Sequence, residues 1–128
     1  MIKLKNKLYK ISALLLLMLT VVSFHNKPFD FDGGYISNDK LFIVPGTMLA
    51  AIDPSKPSGC RGPITYQWQE SPDGYTFTDI PDANGAKYKR RIIDTTTYLR
   101  RKAVCSGGDV AYTNVLSIIV GPPIPNTP

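Results

Sequence analysis

Seven basic residues fall within sixteen positions of this chain: Lys87, Lys89, Arg90, Arg91, Arg100, Arg101 and Lys102. Ammonium and guanidinium groups gathered on one face can meet sulfate, phosphate or carboxylate through charge-assisted hydrogen bonds. Lys87, Lys89, Arg91, Arg100 and Lys102 are therefore candidate contacts for an anionic polysaccharide, such as a lipid A core or a sulfated glycan. The competing expectation is a solvated sheet face, kept soluble and unpaired by its charge as edge strands often are. Asp82 and Asp94 stand near enough in sequence to neutralise part of it. The plainer expectation carries more weight.

Tyr66, Tyr75, Phe77, Tyr88 and Tyr112 could stack on sugar rings, but Tyr and Phe are favoured strand residues that pack across sheets. Packing is the expectation for them. Asp30-Phe31-Asp32-Gly33-Gly34 resembles a calcium loop only faintly, lacking a third acidic ligand at the right step and a closing Glu. Neither a metal nor a cofactor is expected. His25 has no acidic or Cys partner nearby. A hydrolase needs a nucleophile, a base and an oxyanion site, and no nucleophile elbow follows a strand here. Glu70, the single Glu, sits at a strand end beside a turn, and a small sandwich offers no deep cleft for a carboxylate pair. No enzyme is expected.

The charge balance narrows the partners. Lys and Arg number 15 against 10 Asp and Glu, a formal charge of +5. Four of those bases, Lys3, Lys5, Lys7 and Lys10, lie in the first ten residues. That end has the plan of a secretory signal: a basic n-region, an apolar run from Ile11 to Val22, then Val21-Val22-Ser23 as a cleavage site. Cleavage after Ser23 leaves 11 bases against 10 acids, so nucleic acid is not an expected partner. The apolar run stops at Phe24-His25-Asn26-Lys27-Pro28, short of the roughly 20 residues that cross a bilayer. Membrane contact is expected only through the signal before cleavage. Cys60 and Cys105, the only thiols, are 45 positions apart and would close in an oxidising compartment. On the chain-entropy model such a loop is worth roughly 4 kcal/mol.

The elements that must position these residues are strands and turns. Residues 24–40 read as a linker or poorly ordered leader, and 121–128, with four prolines in eight residues, as a polyproline-like tail. Between them 41–120 forms the domain. Leu41–Val44 and Thr47–Ile52 are short runs separated by Pro45-Gly46. Ile64–Gln69 alternates with period two, the pattern of a half-buried strand. Ser71-Pro72-Asp73-Gly74 and Pro81–Gly85 are turns flanking a Tyr75–Ile80 strand. Lys87–Ile93, Thr96–Cys105 and Tyr112–Val120 complete about seven strands, with Ser106-Gly107-Gly108-Asp109 as a hairpin turn. An all-β, antiparallel two-sheet sandwich follows.

Tyr66-Gln67-Trp68-Gln69-Glu70-Ser71-Pro72-Asp73-Gly74, followed by Phe77-Thr78-Asp79-Ile80, resembles the central strands of bacterial immunoglobulin-like repeats. Thr95-Thr96-Thr97-Tyr98-Leu99-Arg100-Arg101 and Thr113-Asn114-Val115-Leu116-Ser117-Ile118 resemble their later strands. Such repeats occur in exported surface proteins and adhesins of Bacteroidota, and the likeness covers Val44 to Val120. It implies an immunoglobulin-like β-sandwich with Trp68 and Tyr98 as core anchors. A buried Trp68 would hide on the order of 200 Å². Asp94-x-Thr96-x-Tyr98 is similar to a tyrosine corner, but Arg100 stands where antibody domains carry their second Cys. Cys60–Cys105 would then clip a loop to a strand end, and Leu99 and Ala103 would face inward.

Two functions are weighed. One is an exported, non-catalytic immunoglobulin-like module, secreted or at the cell surface with the periplasm as a further location. It would act in adhesion or as a spacer toward a protein or glycan. The alternative is a small carbohydrate- or polyanion-binding protein that uses the basic strand face and exposed tyrosines.

Overall fold

The computed structural model describes residues 30–122. The signal segment 1–23, His25, the rest of the leader up to Phe29 and the tail from Pro123 lie outside the described residues. Eight strands follow one another: β1 (Lys40–Ile43), β2 (Thr47–Leu49), β3 (Ile64–Ser71), β4 (Thr78–Asp79), β5 (Arg91–Ile93), β6 (Thr97–Cys105), β7 (Val110–Tyr112) and β8 (Leu116–Val120). The larger sheet has the order β1-β8-β6-β3-β4 with β7 also paired to β6, and the smaller consists of β2 and β5. The protein is an all-β sandwich, as its turn spacing predicts.

Its spine is the β3–β6 ladder, eight pairs long from Ile64↔Cys105 to Ser71↔Tyr98. Period-two alternation holds along β6: Leu99, Arg101, Ala103 and Cys105 are buried while Arg100, Lys102 and Val104 are half-exposed. Leu99 and Ala103 thus face inward, as expected. Trp68 is fully buried and joins Ile36, Leu49, Tyr88, Ile93, Leu99, Leu116 and Ile118 in one core. Its indole Nε1–H donates to the Gly85 carbonyl at 3.0 Å, so even its polar atom is satisfied. Tyr98 corrects the second anchor. Its parity is opposite to that of Leu99, it is only half-buried, and its ring lies against the turn after β3. A Cβ on Gly74 would meet that ring at 3.3 Å, and Gly74 has φ 80°. Tyr98 anchors a turn from outside the core.

One pair of strands departs from the antiparallel expectation. β1 runs parallel to β8, Lys40↔Ser117 through Ile43↔Val120. The cause is the Val44-Pro45-Gly46 step, where Gly46 at φ 78° lets the chain leave one sheet and enter the other. The Gly46 amide then donates to Ile93 of β5, and the Thr47 hydroxyl ties back to the Val44 carbonyl at 2.6 Å.

Residues 30–39, read above as part of a linker, belong to the domain. Ile36 is 3% exposed and lies in the core. The Asn114 carboxamide accepts from the Ile36 amide at 2.7 Å and donates to its carbonyl at 3.1 Å, taking the place of a neighbouring strand's backbone. This explains why the expected Tyr112–Val120 strand is divided. At the break Thr113 bonds Arg101 through its amide and its hydroxyl, while Asn114 turns to Ile36. Asp32 accepts from the Gly34 amide at 2.7 Å and bridges Ser58 through its backbone. The faint calcium-loop pattern is thus a turn cap.

The Tyr75–Ile80 strand shrinks to Thr78–Asp79 for a similar reason. The Asp73 carboxylate accepts from the Thr76 and Tyr75 amides and from the Ser71 hydroxyl, which holds that backbone in a turn. The same bonds, that of Thr76 foremost, hold the Asp73 carboxyl down at about 2 against an ordinary 3.8. A carboxyl lowered on folding stabilises the native state above about 3.8, and the contribution disappears as pH falls through about 2. Carbon-detected NMR titration should show Asp73 as one of the last carboxyls to protonate, with the Tyr75 and Thr76 amides shifting on the same curve. A midpoint near 3.8 would show that these bonds do not form in solution.

Candidate functional site

Strand alternation divides the basic residues. Arg101 points inward, is 1% exposed, and sits opposite Trp68 in the β3–β6 register. Its Nη1 donates to the Ala86 carbonyl at 2.7 Å, and its Nη2 donates to Ser55 at 2.8 Å and Gly33 at 3.0 Å. The guanidinium lies 4.7 Å from the Tyr66 ring centroid. Burial pulls its pKa down, with Tyr66 and Asp53 acting the other way. Arg101 therefore ties three separate segments to β6, and it cannot belong to a surface stripe. Gly34 gives it room: a Cβ there would lie 2.9 Å from Nη2 and collide with the Ser55 carbonyl.

Arg100 and Lys102 point outward from the larger sheet. The Arg100 guanidinium is held between two rings, 4.0 Å from the Phe77 centroid and 4.1 Å from that of Tyr112. Its Nε donates to Gln69 Oε1 at 2.8 Å, and Gln69 Nε2 donates to Asp79 at 2.8 Å. Cation–π contact on both faces makes Arg100 a packed residue of this surface. Lys102 lies beside Tyr112 in the β6–β7 register.

The remaining candidates belong to the run that leads into β5 in the other sheet. Lys87, Lys89, Arg90 and Arg91 line a cleft of about 310 Å³ with Ile80, Pro81, Asp82, Ala83, Gly85 and Tyr88. Lys87 pairs with Asp53 at 2.7 Å, where both side chains are well exposed. Arg91 reaches across to β3, pairing with Glu70 at 2.7 Å and donating to the Tyr88 hydroxyl at 3.2 Å. The Tyr88 and Glu70 bonds, in that order, raise the Arg91 pKa. The single Glu of the chain thus serves an inter-sheet ion pair. Lys89 and Arg90 have no ion-pair or hydrogen-bond partner among the described residues. The five candidate contacts do not share one face: Arg100 and Lys102 lie on the larger sheet, and Lys87, Lys89 and Arg91 surround the cleft.

Four of the five aromatic candidates are engaged in packing. Tyr88 is buried with its ring centroid 5.1 Å from that of Trp68. Tyr66 lies beside Arg101, while Phe77 and Tyr112 hold Arg100. Tyr75 alone stands out, at 91% exposure.

Cys60 and Cys105 are bonded, with 5.7 Å between their Cα atoms. The bond joins the loop before β3 to the last residue of β6. Next to it the Ser106 amide donates to the Pro63 carbonyl at 3.0 Å. It clips a loop to a strand end at the open end of the long ladder, as expected from the sequence, and it fits an extracellular or periplasmic setting.

The chain belongs to the DUF8696 family, described as a domain of unknown function, whose model matches residues 32–122. The match begins inside the segment read as a leader and takes in Ile36, Gly33 and Gly34, in keeping with their place in the fold. No curated protein and no solved structure matches the chain.

Proposed function

We propose that this protein is an exported, non-catalytic immunoglobulin-like module that acts at the cell surface, in adhesion or as a spacer, toward a protein or glycan partner. The Cys60–Cys105 bond carries this reading. A cross-link that closes the ladder of a small domain is useful where thiols stay oxidised, and the signal-like pattern of residues 1–23 supplies the route there. The likeness to bacterial immunoglobulin-like repeats of Bacteroidota surface proteins supports adhesion or spacing over catalysis. Mass spectrometry of the protein from its native host tests the route. The expected product starts at or near Phe24, and protease added to intact cells should release or degrade it. A full-length chain retained in the inner membrane overturns the proposal.

A second reading, a small carbohydrate- or polyanion-binding protein, is favoured by one observation. Lys89 and Arg90, without an ion-pair or hydrogen-bond partner among the described residues, stand at a concave site. A single broad cationic stripe no longer supports it, because the fold divides that stripe between two sheets.

A further inference from the structure

We propose that the cleft between Ile80 and Arg91 binds an acidic sugar residue, one bearing a carboxylate or sulfate, with Lys89 and Arg90 meeting the anion. This rests on the second reading above and assigns it a site that excludes Arg100 and Lys102. The first support is charge. Of the four bases that line the cleft, Lys87 and Arg91 are already answered by Asp53 and Glu70. Lys89 and Arg90 remain to answer an incoming anion, and charge-assisted bonds are the stronger kind.

The second support is rigidity. The wall of the cleft is an irregular segment, but it is bound to the core at three successive points. Trp68 donates from its backbone amide to the Ala83 carbonyl at 2.8 Å and from its indole to that of Gly85 at 3.0 Å. Arg101 donates to the next carbonyl, that of Ala86. A wall already ordered by the core loses little freedom when a ligand arrives. The small residues Ala83 and Gly85 in its lining leave the hollow open. On the opposite side Tyr88 is fixed between Ile52 and Trp68, with both backbone bonds to Ile52 made.

The third support decides the ligand class. A volume of about 310 Å³ suits one or two sugar rings and is at the small end of ligand sites. Ile80, Pro81 and Ala83 offer apolar surface for the C–H face of a ring. Asp82, held at φ 60° on the rim, brings an acceptor that suits sugar hydroxyls. Among non-glycine residues Asp is one of the few that enter this left-handed region readily. A ring that carries both hydroxyls and an anionic group fits both kinds of side chain.

The test uses the full chain in its disulfide-closed form and calorimetric titration with a galacturonic acid tetrasaccharide, a heparin tetrasaccharide and neutral maltotetraose. At least one acidic oligosaccharide should bind, the neutral one should not, and affinity should fall with salt as screening shortens to about 8 Å at physiological ionic strength. Lys89→Gln with Arg90→Gln should weaken binding by about tenfold or more. Lys40→Gln with Lys102→Gln removes the same charge elsewhere and should leave affinity within about twofold, because distant exposed charges are screened. Amide shifts of the unsubstituted protein locate the ligand without any variant, and they should concentrate in 80–91. Equal loss in both double variants, or shifts centred on 98–112, overturns the cleft while leaving a polyanion binder. No binding of either acidic oligosaccharide at low salt overturns both. Equal affinity for a hexaglutamate peptide overturns the assignment to sugar.

Discussion

Arg101→Met is expected to destabilise the domain by roughly 3–5 kcal/mol, among the largest effects of any single substitution here. The argument rests on what the guanidinium leaves behind. Three carbonyls, those of Gly33, Ser55 and Ala86, converge on Arg101 from segments far apart in sequence. The bond to Gly33 is buried and those to Ser55 and Ala86 are part-buried; an orphaned buried acceptor costs about 1–3 kcal/mol, and less where water reaches it. Buried ion pairs can often be exchanged for apolar residues without loss, but there both charges are removed together. Here the partners are backbone and remain. Against this stands the cost of holding a desolvated guanidinium whose Nε finds no hydrogen-bond partner, so the loss is smaller than three full bonds. Arg101→Lys keeps the charge and can reach one or two of the carbonyls, so it should fall between wild type and Arg101→Met. Urea unfolding measures this. With a slope near 1–2 kcal/mol per molar for a domain of this size, the midpoint should fall by more than about 1.5 M. Hydrogen exchange should quicken together around Gly34, Ser55 and Lys87, because one side chain holds all three places. A midpoint within about 0.3 M of wild type would mean that water replaces the guanidinium at little expense.

The residues that proved legible in the sequence are those whose signal is local. Trp68 lies in a clean period-two run, and its burial follows from that alternation. Leu99 and Ala103 share a parity, and the ladder confirms it. The Ser106–Asp109 turn follows from two glycines and closes as the Cys105 amide meets Asp109. The parity that places Leu99 and Ala103 inside also places Arg101 inside. Charge argued for the surface, and the carbonyls that overrule it sit 15, 46 and 68 positions away. Ile36 was illegible in the same sense, because the carboxamide that docks it belongs to Asn114, 78 positions on. Tyr98 misled through likeness to a tyrosine corner, when alternation from Leu99 already assigned it to the opposite face. The cleft was half legible. Lys87, Lys89 and Arg91 stand out as bases, but which of them are neutralised depends on Asp53 and Glu70 from other elements.

Opening the Cys60–Cys105 bond should be the other large effect. With both residues replaced by Ser, the expected loss is about 2–5 kcal/mol, a range typical of small exported domains. A change of that size lowers the melting temperature by roughly 8–40 °C in a domain of fewer than 100 residues. The loss should fall below the full loop-closure value of roughly 4 kcal/mol for a separation of 45 only if the unfolded chain is already compact or the native loop itself gains freedom once the bond is open. The structure limits the second route. The segment between β2 and β3 is tied to the rest of the domain by Ser55 to Arg101 and by the paired bonds of Asp32 with Ser58. Both ties survive the substitution. Unfolding should therefore remain cooperative, with β3–β6 amides exchanging only through global opening, while amides near Arg61 and Ser106 exchange faster through local fraying. Titration of the untreated protein with a thiol reagent should find no free thiol before denaturation and reduction. Two reactive thiols in native protein, or a double variant that melts within about two degrees of wild type, would remove the bond from the stability of the fold. Two reactive thiols would also remove the compartment inferred from the bond.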